Sequence, residues 1–368
     1  MSRIKGCITI GILIISWCLM FWITGSRTPW QTFSSSDRGD EVSVFLGDIP
    51  SENYDRMGFT KGLIEYIDNE NAWLLGTDRG ELFLFDNDGK QIWKRSLGIG
   101  KLVSMCVSHD EKIAFIGEQS PSGNLYAIDI AGGDILWKFA AANVVGAEPA
   151  KRSYPSIVHI CIDQNDNVYA NAYRFVTAKD GSRGYNGKAV AFNKNGDQLW
   201  QFPQNENIDS WINWCDVNDN NGKVVLSTSA YEIRPDMKYR DTMYLINKET
   251  GQLINSVDVL PVAPFENTVM RGSPNFSANG EFLAASCSDG RGLLFDGSGK
   301  VLWQRELSKP TQIDDAWINA SGRDGFAVDA GVIFTTINTF NRENWQLPTP
   351  VEHPSNNSMF VFNYDGTF

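Results

Sequence analysis

Along most of the chain apolar and polar residues alternate with a period of two, in short runs broken by turns rich in Gly, Asn and Asp. That pattern predicts strands rather than helices. One hairpin recurs: "LFLFDNDGKQIWKR" (82–95), "LYAIDIAGGDILWKF" (125–139), "AVAFNKNGDQLWQF" (189–202), "MYLINKETGQLINSV" (243–257), "GLLFDGSGKVLWQRE" (292–306) and "MFVFNYDGTF" (359–368). Each copy has an apolar strand, an Asp or Asn at its end, a turn with Gly, and a second strand that opens apolar. The Asp or Asn side chain bonds its own turn backbone, and Gly accepts the positive φ such hairpins require. Trp93, Trp137, Trp200 and Trp303 fill one slot of the second strand, and Ile254 reads as its replacement in the fourth copy. The five slots lie 44, 63, 54 and 49 residues apart, so a fixed unit carries loops of variable length.

Ahead of each hairpin lies another strand pair, as in "GLIEYIDNENAWLLGT", "IVHICIDQNDNVYANAY" and "SPNFSANGEFLAASCS". Four strands per unit, with no helical periodicity between them, predict an all-β fold: a six-bladed β-propeller of four-stranded antiparallel blades over residues 59–368. By the same spacing the sixth hairpin reaches Phe368 two residues short of its Trp slot. An unpaired edge strand is an aggregation hazard. The alternating segment "EVSVFLGD" (41–48), within a linker spanning 31–58, is therefore expected to supply the missing outer strand and close the ring. The alternative is a fragment of a longer propeller.

The hairpin pattern D-x-x-x-G-x-x-L/I-W resembles the pyrroloquinoline-quinone-like (PQQ-like) repeat, over about residues 60–368. That repeat is shared by quinoprotein dehydrogenases and by non-catalytic propellers such as the bacterial outer-membrane assembly lipoprotein. The resemblance is specific for fold and weak for activity. In the dehydrogenase branch the cofactor is sandwiched beneath adjacent bonded cysteines, near a calcium ion and a catalytic Asp. This chain has no adjacent cysteines, and six units fall short of that branch's usual eight, so the resemblance implies the non-catalytic branch and no cofactor.

The first 30 residues depart from the alternation. Arg3 and Lys5 precede an uncharged apolar run from Cys7 to Thr24, long enough to cross a bilayer as one helix. The basic flank places the amino terminus in the cytoplasm and everything after Ser26 outside. An uncleaved signal anchor over residues 1–30 is the reading, a cleaved signal peptide the alternative. Beyond residue 30 the chain holds 29 basic against 44 acidic residues. Such a surface repels nucleic acid and anionic lipid. Four cysteines remain outside the apolar run: Cys106, Cys161, Cys215 and Cys287. The first three sit at one repeat position each and are expected to share a layer without facing one another. No CxxC or CxH spacing suggests a metal.

Long insertions fall on one face: "YRFVTAKDGSRGYNGK", "AYEIRPDMKYRDT" and "NTFNRENWQLPTPVEHPSNNS", joined by the inter-unit connections. Against the acidic average this face collects Arg152, Tyr173, Arg174, Arg183, Tyr185, Tyr231, Arg234, Tyr239, Arg240, Arg342 and Trp345. Tyr, Trp and Arg are the residues binding surfaces favour. Trp211, Arg271 and Trp317 start inner strands and are candidates for an axial pocket, as is Trp214, for which packing is the favoured role. The competing role for the whole set is loops sealing one another. Asp314 and Asp315 are the pair that could serve a cation or act as a base in a quinoprotein-type oxidoreductase, the competing role being a solvated turn at a strand entry. Arylsulfate sulfotransferases, also propellers, use a His nucleophile. Of His109, His159 and His353, only His353 lies on this face, without a recognisable partner. No catalytic residue is assigned. The expected partner is an envelope or extracellular protein or peptide, or a small polar ligand, with the membrane engaged by the N-terminal helix.

Overall fold

The computed structural model describes residues 63–147, 154–177, 183–229, 241–266, 268–313, 316–341 and 352–368. Among these residues the chain is all-β, with one α-helical turn, α1 (Ala142–Val145), and one 3-10 turn (Asp68–Glu70). The strands form successive up-and-down antiparallel meanders of four. The first is β1 (Leu63–Ile67), β2 (Ala72–Gly76), β3 (Glu81–Asp86) and β4 (Gln91–Ser96). The second is β5 (Lys101–Val107), β6 (Ile113–Gln119), β7 (Asn124–Asp129) and β8 (Ile135–Ala140); the third is β9 (Ser156–Ile162), β10 (Val168–Thr177), β11 (Arg183–Phe192) and β12 (Gln198–Phe202). A single residue pair, Gln119 with Ser156, joins these two into one eight-stranded sheet. The fourth is β13 (Trp211–Asn218), β14 (Lys223–Ser229), β15 (Asp241–Asn247) and β16 (Leu253–Val259). The fifth is β17 (Asn275–Phe276), β18 (Phe282–Cys287), β19 (Arg291–Asp296) and β20 (Val301–Glu306). Last come β21 (Thr311–Ile313), β22 (Ala316–Val328), β23 (Gly331–Asn341) and β24 (Met359–Phe362). Among the described residues, 63–103 with Ile130–Gly133 form one compact unit, and the remainder a second.

Within the second unit the core lies between meanders, so central strands are apolar on both faces. Phe115 and Leu125 of the second meander pack with Ile157, Val168, Val190 and Phe192 of the third. Tyr169, Ala191 and Trp200 of the third pack with Ile212, Val224, Leu226 and Ile246 of the fourth. Val225, Met243 and Leu245 continue to Leu283, Leu293 and Phe295, and Ala284 and Leu294 to Val332, Phe334 and Phe362.

The repeated hairpin is built as its sequence predicts. Asp86 Oδ1 accepts from the amides of Asp88 (3.1 Å) and Lys90 (2.8 Å), and Gly89 turns the chain with φ 74°. Asn193 and Asp296 repeat the arrangement. The Trp slot carries the docking. Each indole Nε1 donates to a carbonyl of the following hairpin's turn: Trp93 to Ile130 (2.8 Å), Trp137 to Lys194 (2.9 Å), Trp200 to Lys248 (2.7 Å) and Trp303 to Tyr364 (2.8 Å). The ring lies so close to the turn that a Cβ on Gly196 or Gly251 would sit 2.7 Å from it. Gly at that position therefore answers both the positive φ and the ring.

One expectation needs correction. The fourth slot belongs to Asn255, not Ile254: Leu245 pairs with Asn255 as Leu294 pairs with Trp303 and Ala191 with Trp200. The turn is one residue longer there, Asn247 N–H reaching Gln252 O where Asn193 N–H reaches Asp197 O, and this shifts the register. Asn255 Nδ2 donates to Ser298 O at 2.9 Å, doing the indole's hydrogen bonding without its ring. In the last meander β21 adds a strand to β22 on the side away from β23, and β24 is the opposite edge among the described residues. The segment 41–48 assigned to that edge lies outside the described residues, as do residues 1–30. Among the described residues no helix is long and apolar enough to cross a membrane.

Candidate functional site

The hairpin β10–β11, ten residues in each strand, carries Tyr173, Arg174 and Tyr185. Trp211, at the start of β13, stacks on Tyr173 with ring centroids 4.6 Å apart and planes at 24°. Phe175 meets Tyr173, Tyr185 and Trp211 at 5.8, 5.1 and 6.4 Å. Tyr173, Tyr185 and Trp211 are each only 5% exposed. These three candidates face one another rather than a partner, because four rings in mutual contact shed more water together than any sheds alone. Arg174 joins them as an anchor: its Nε donates to Val145 O, the last carbonyl of α1, at 2.5 Å, and Asn186 Nδ2 donates to the same oxygen at 3.0 Å. Tyr185 N–H is held by Asp209 Oδ1 at 2.9 Å.

Arg271 lies elsewhere, half-buried, with Nη1 donating to exposed Asn338 Oδ1 at 3.3 Å. The backbone beneath it is fixed: Met270 N–H donates to the fully buried Asp241 Oδ2 (2.5 Å), and Met270 O accepts from Trp214 Nε1 (3.2 Å) and Ser229 Oγ (3.0 Å). Trp214 is thus a packed inner-strand residue. Trp317 is half-buried on β22 opposite Gln312. Arg183 opens β11 opposite Thr177. Arg152, Tyr231, Arg234, Tyr239, Arg240, Arg342, Trp345, Asp314 and Asp315 lie outside the described residues. The described candidates fall into an inward-facing aromatic group and a separate polar group at Arg271.

His353 is not partnerless. It is 6% exposed; Nδ1 contacts Ser308 Oγ at 3.3 Å and accepts from Ser355 N–H at 3.1 Å, Nε2 lies 3.0 Å from Lys309 O, and its own N–H donates to Thr339 Oγ1. The imidazole ties residues 352–358 to the β20–β21 connection, and the His353 N–H ties them to β23. His109 sits in the β5–β6 turn, its N–H and Nδ1 2.9 and 2.8 Å from Asp166 Oδ1 in the β9–β10 turn. His159, on β9, accepts from Cys215 N–H at 3.3 Å and meets Trp214 edge to face. Among the described residues no three His, Cys, Asp or Glu side chains group to hold a metal ion.

The sequence did not single out the groups whose environment is most altered. Lys248, 7% exposed, is paired with Asp163 at 3.0 Å and with Asp219. Hydrogen bonds from Asn167 and Lys248 outweigh burial and hold the Asp163 carboxyl below its ordinary range. Arg291 engages Asp289 through Nε (3.1 and 3.0 Å) and Nη2 (2.8 Å), and its Nη2 also holds Leu260 O. Asp216 accepts from Phe276 N–H at 2.8 Å, binding the fourth meander to the fifth, and burial pushes its carboxyl up to about 6. In sequence these acids are indistinguishable from the turn residues around them.

The cysteine expectation is also corrected. All four are free thiols, but Cys161 packs against Cys215. β9 and β13, the first strands of the third and fourth meanders, run side by side, so these equivalent register positions meet.

A family model described as "Outer membrane protein assembly factor BamB" matches residues 78–337, well over half of the chain. The chain belongs to this family. Its repeat is the PQQ-like repeat, and the fold is that of a β-propeller family. Among solved structures, the chain is similar to BamB from Moraxella catarrhalis: 14% identity, 82% of this chain and 93% of that one covered, TM-score 0.46. It is also similar to a protein of unknown function from Bacteroides caccae (13%, covering 66% and 79%, TM-score 0.40) and to the Dos1 propeller (11%, covering 80% and 70%, TM-score 0.46). No curated protein gives a significant match. The Trp hairpins dock on the turns that follow them, and function has to be sought on what that framework presents.

Proposed function

We propose that the chain is a six-bladed propeller, one blade for each meander, held outside the cytoplasmic membrane by residues 1–30 and acting as a non-catalytic binding or assembly scaffold. The observation that carries this reading is the family match across residues 78–337, to a family described as an outer-membrane assembly factor. The partner is an envelope protein or an extended peptide. It docks on the loop-rich face, where the half-buried Arg271 and Trp317 and the loop residues Tyr239 and Trp345 supply aromatic and guanidinium contacts. The buried quartet of Tyr173, Phe175, Tyr185 and Trp211 stiffens that face rather than contacting the partner.

The rival in this fold is a quinoprotein oxidoreductase. The full-length protein, purified in detergent, is to be challenged with pyrroloquinoline quinone and Ca²⁺, then assayed by absorbance, metal analysis and dye-linked alcohol or sugar oxidation. No stoichiometric quinone and no oxidation is the expected result. Stoichiometric quinone with turnover overturns the scaffold reading.

A further inference from the structure

Cys161 on β9 and Cys215 on β13 belong to different meanders, 54 residues apart in sequence, yet their side chains pack together in one buried cluster. His159, two residues from Cys161 on the same strand, places Nδ1 3.3 Å from Cys215 Sγ. Cys215 Sγ also lies 3.6 Å from Tyr169 O. Cys161 is half-buried, Cys215 is 2% exposed, and both are free. Two thiols thus meet between neighbouring strands, the first in a residue that keeps part of its surface, and an imidazole nitrogen stands beside the second. Cys287, by contrast, is fully buried in another cluster, with no partner cysteine in that cluster.

We infer that Cys161 and Cys215 form a dithiol–disulfide site that, when oxidised, cross-links the inner strands of the third and fourth meanders. The oxidant is an exogenous disulfide. Burial and the adjacent Cys215 push the Cys161 thiol well up, so only its small thiolate fraction reacts: it attacks one sulfur of that disulfide, the S–S bond breaks, a mixed disulfide forms, and one thiolate leaves. Cys215 passes its proton to His159 Nδ1 and attacks the Cys161 sulfur, expelling the second thiolate. The two cysteines together lose two electrons and two protons, and the exogenous disulfide becomes two thiols. The bond closes a long loop, so it restricts the unfolded chain as well as pinning β9 to β13.

The test uses folded full-length protein with oxidised glutathione, quenched with acid and an alkylating reagent, and peptide mass spectrometry. The expected product is a cystine peptide joining Cys161 to Cys215, about 2 Da lighter than the two thiol peptides, formed while the protein stays folded. It persists in Cys106→Ser and is absent in Cys161→Ser. His159→Asn keeps an acceptor for the Cys215 N–H but has no basic nitrogen, and is expected to slow closure of the mixed disulfide by about tenfold or more without changing the near-UV circular dichroism. A wild-type protein whose cysteines all stay reduced, or stop at the mixed disulfide, overturns the inference. So does a cystine that uses Cys106. Because the wild-type measurement needs no variant, failure of a variant to fold does not rescue the idea.

Discussion

Replacing Trp200 tests whether the repeated indole holds successive meanders together. Trp200 is 7% exposed, its Nε1 donates to Lys248 O at 2.7 Å, and its ring lies against Tyr169 at 5.7 Å and on the Gly251 turn. Trp200→Ala removes the ring from a site with backbone on one side and a packed phenol on the other, where collapse is restricted, and should cost about 3–5 kcal/mol. Trp200→Phe keeps one six-membered ring and removes the donor with its five-membered ring, leaving a buried carbonyl with one bond fewer and a small gap, and should cost about 2–3 kcal/mol. Asn255, in the equivalent slot, is exposed and contributes one amide hydrogen bond, so Asn255→Ala should cost about 1 kcal/mol or less. The assay is urea unfolding followed by far-UV circular dichroism, with the slope of each transition compared. Equal losses for Trp200→Ala and Asn255→Ala would refute the docking argument, since only the ring distinguishes the two slots.

Four further outcomes follow from particular residues. Asp216 has its carboxyl raised to about 6 by burial, so the fold favours the protonated form: its contribution is full at acid pH below the unfolded value and lost as pH rises through 6. Asp216→Asn should therefore raise stability at pH 7 by up to about 3 kcal/mol and flatten the dependence between pH 4 and 7, read by urea titrations across that range. Lys248→Met strands Asp163 and Asp219 without their cation; a loss of about 3–5 kcal/mol at pH 7 is expected, shrinking on acidification as the carboxylates protonate. Asn255→Trp restores the ring that the fourth meander lacks and should raise the unfolding free energy by roughly 1 kcal/mol, read as a higher urea midpoint; a lower midpoint would mean the longer turn leaves no room. Trp211→Ala, which opens the buried quartet, should cost about 3–5 kcal/mol, with any loss of partner binding following the loss of fold rather than preceding it.

The strands and hairpins were legible because alternation and the Asp/Asn-to-Gly turn are local, and local patterns survive without tertiary knowledge. Register was less legible. One extra residue in the turn after Asn247 moved the slot from Ile254 to Asn255, and only the ladder shows it. The candidate face was legible as an enrichment of Arg and aromatics, but not as an arrangement. Tyr173 and Trp211 read the same whether they face a partner or each other, since the answer depends on the angle between two meanders. The expectation for the cysteines failed for a related reason: repeat position gives the layer, and the side-by-side run of inner strands brings equal layers into contact.

The central claim, a scaffold that binds a protein through its loop-rich face, is tested most directly by photo-crosslinking in the native membrane. A photoreactive residue is placed one at a time at Tyr239, Trp317 and Trp345, and at His109 in a turn at the opposite end of the strands. The account predicts one discrete protein adduct shared by the three loop-face positions and none from His109. Adducts from His109 alone, or no protein adduct from any loop-face position, would contradict it.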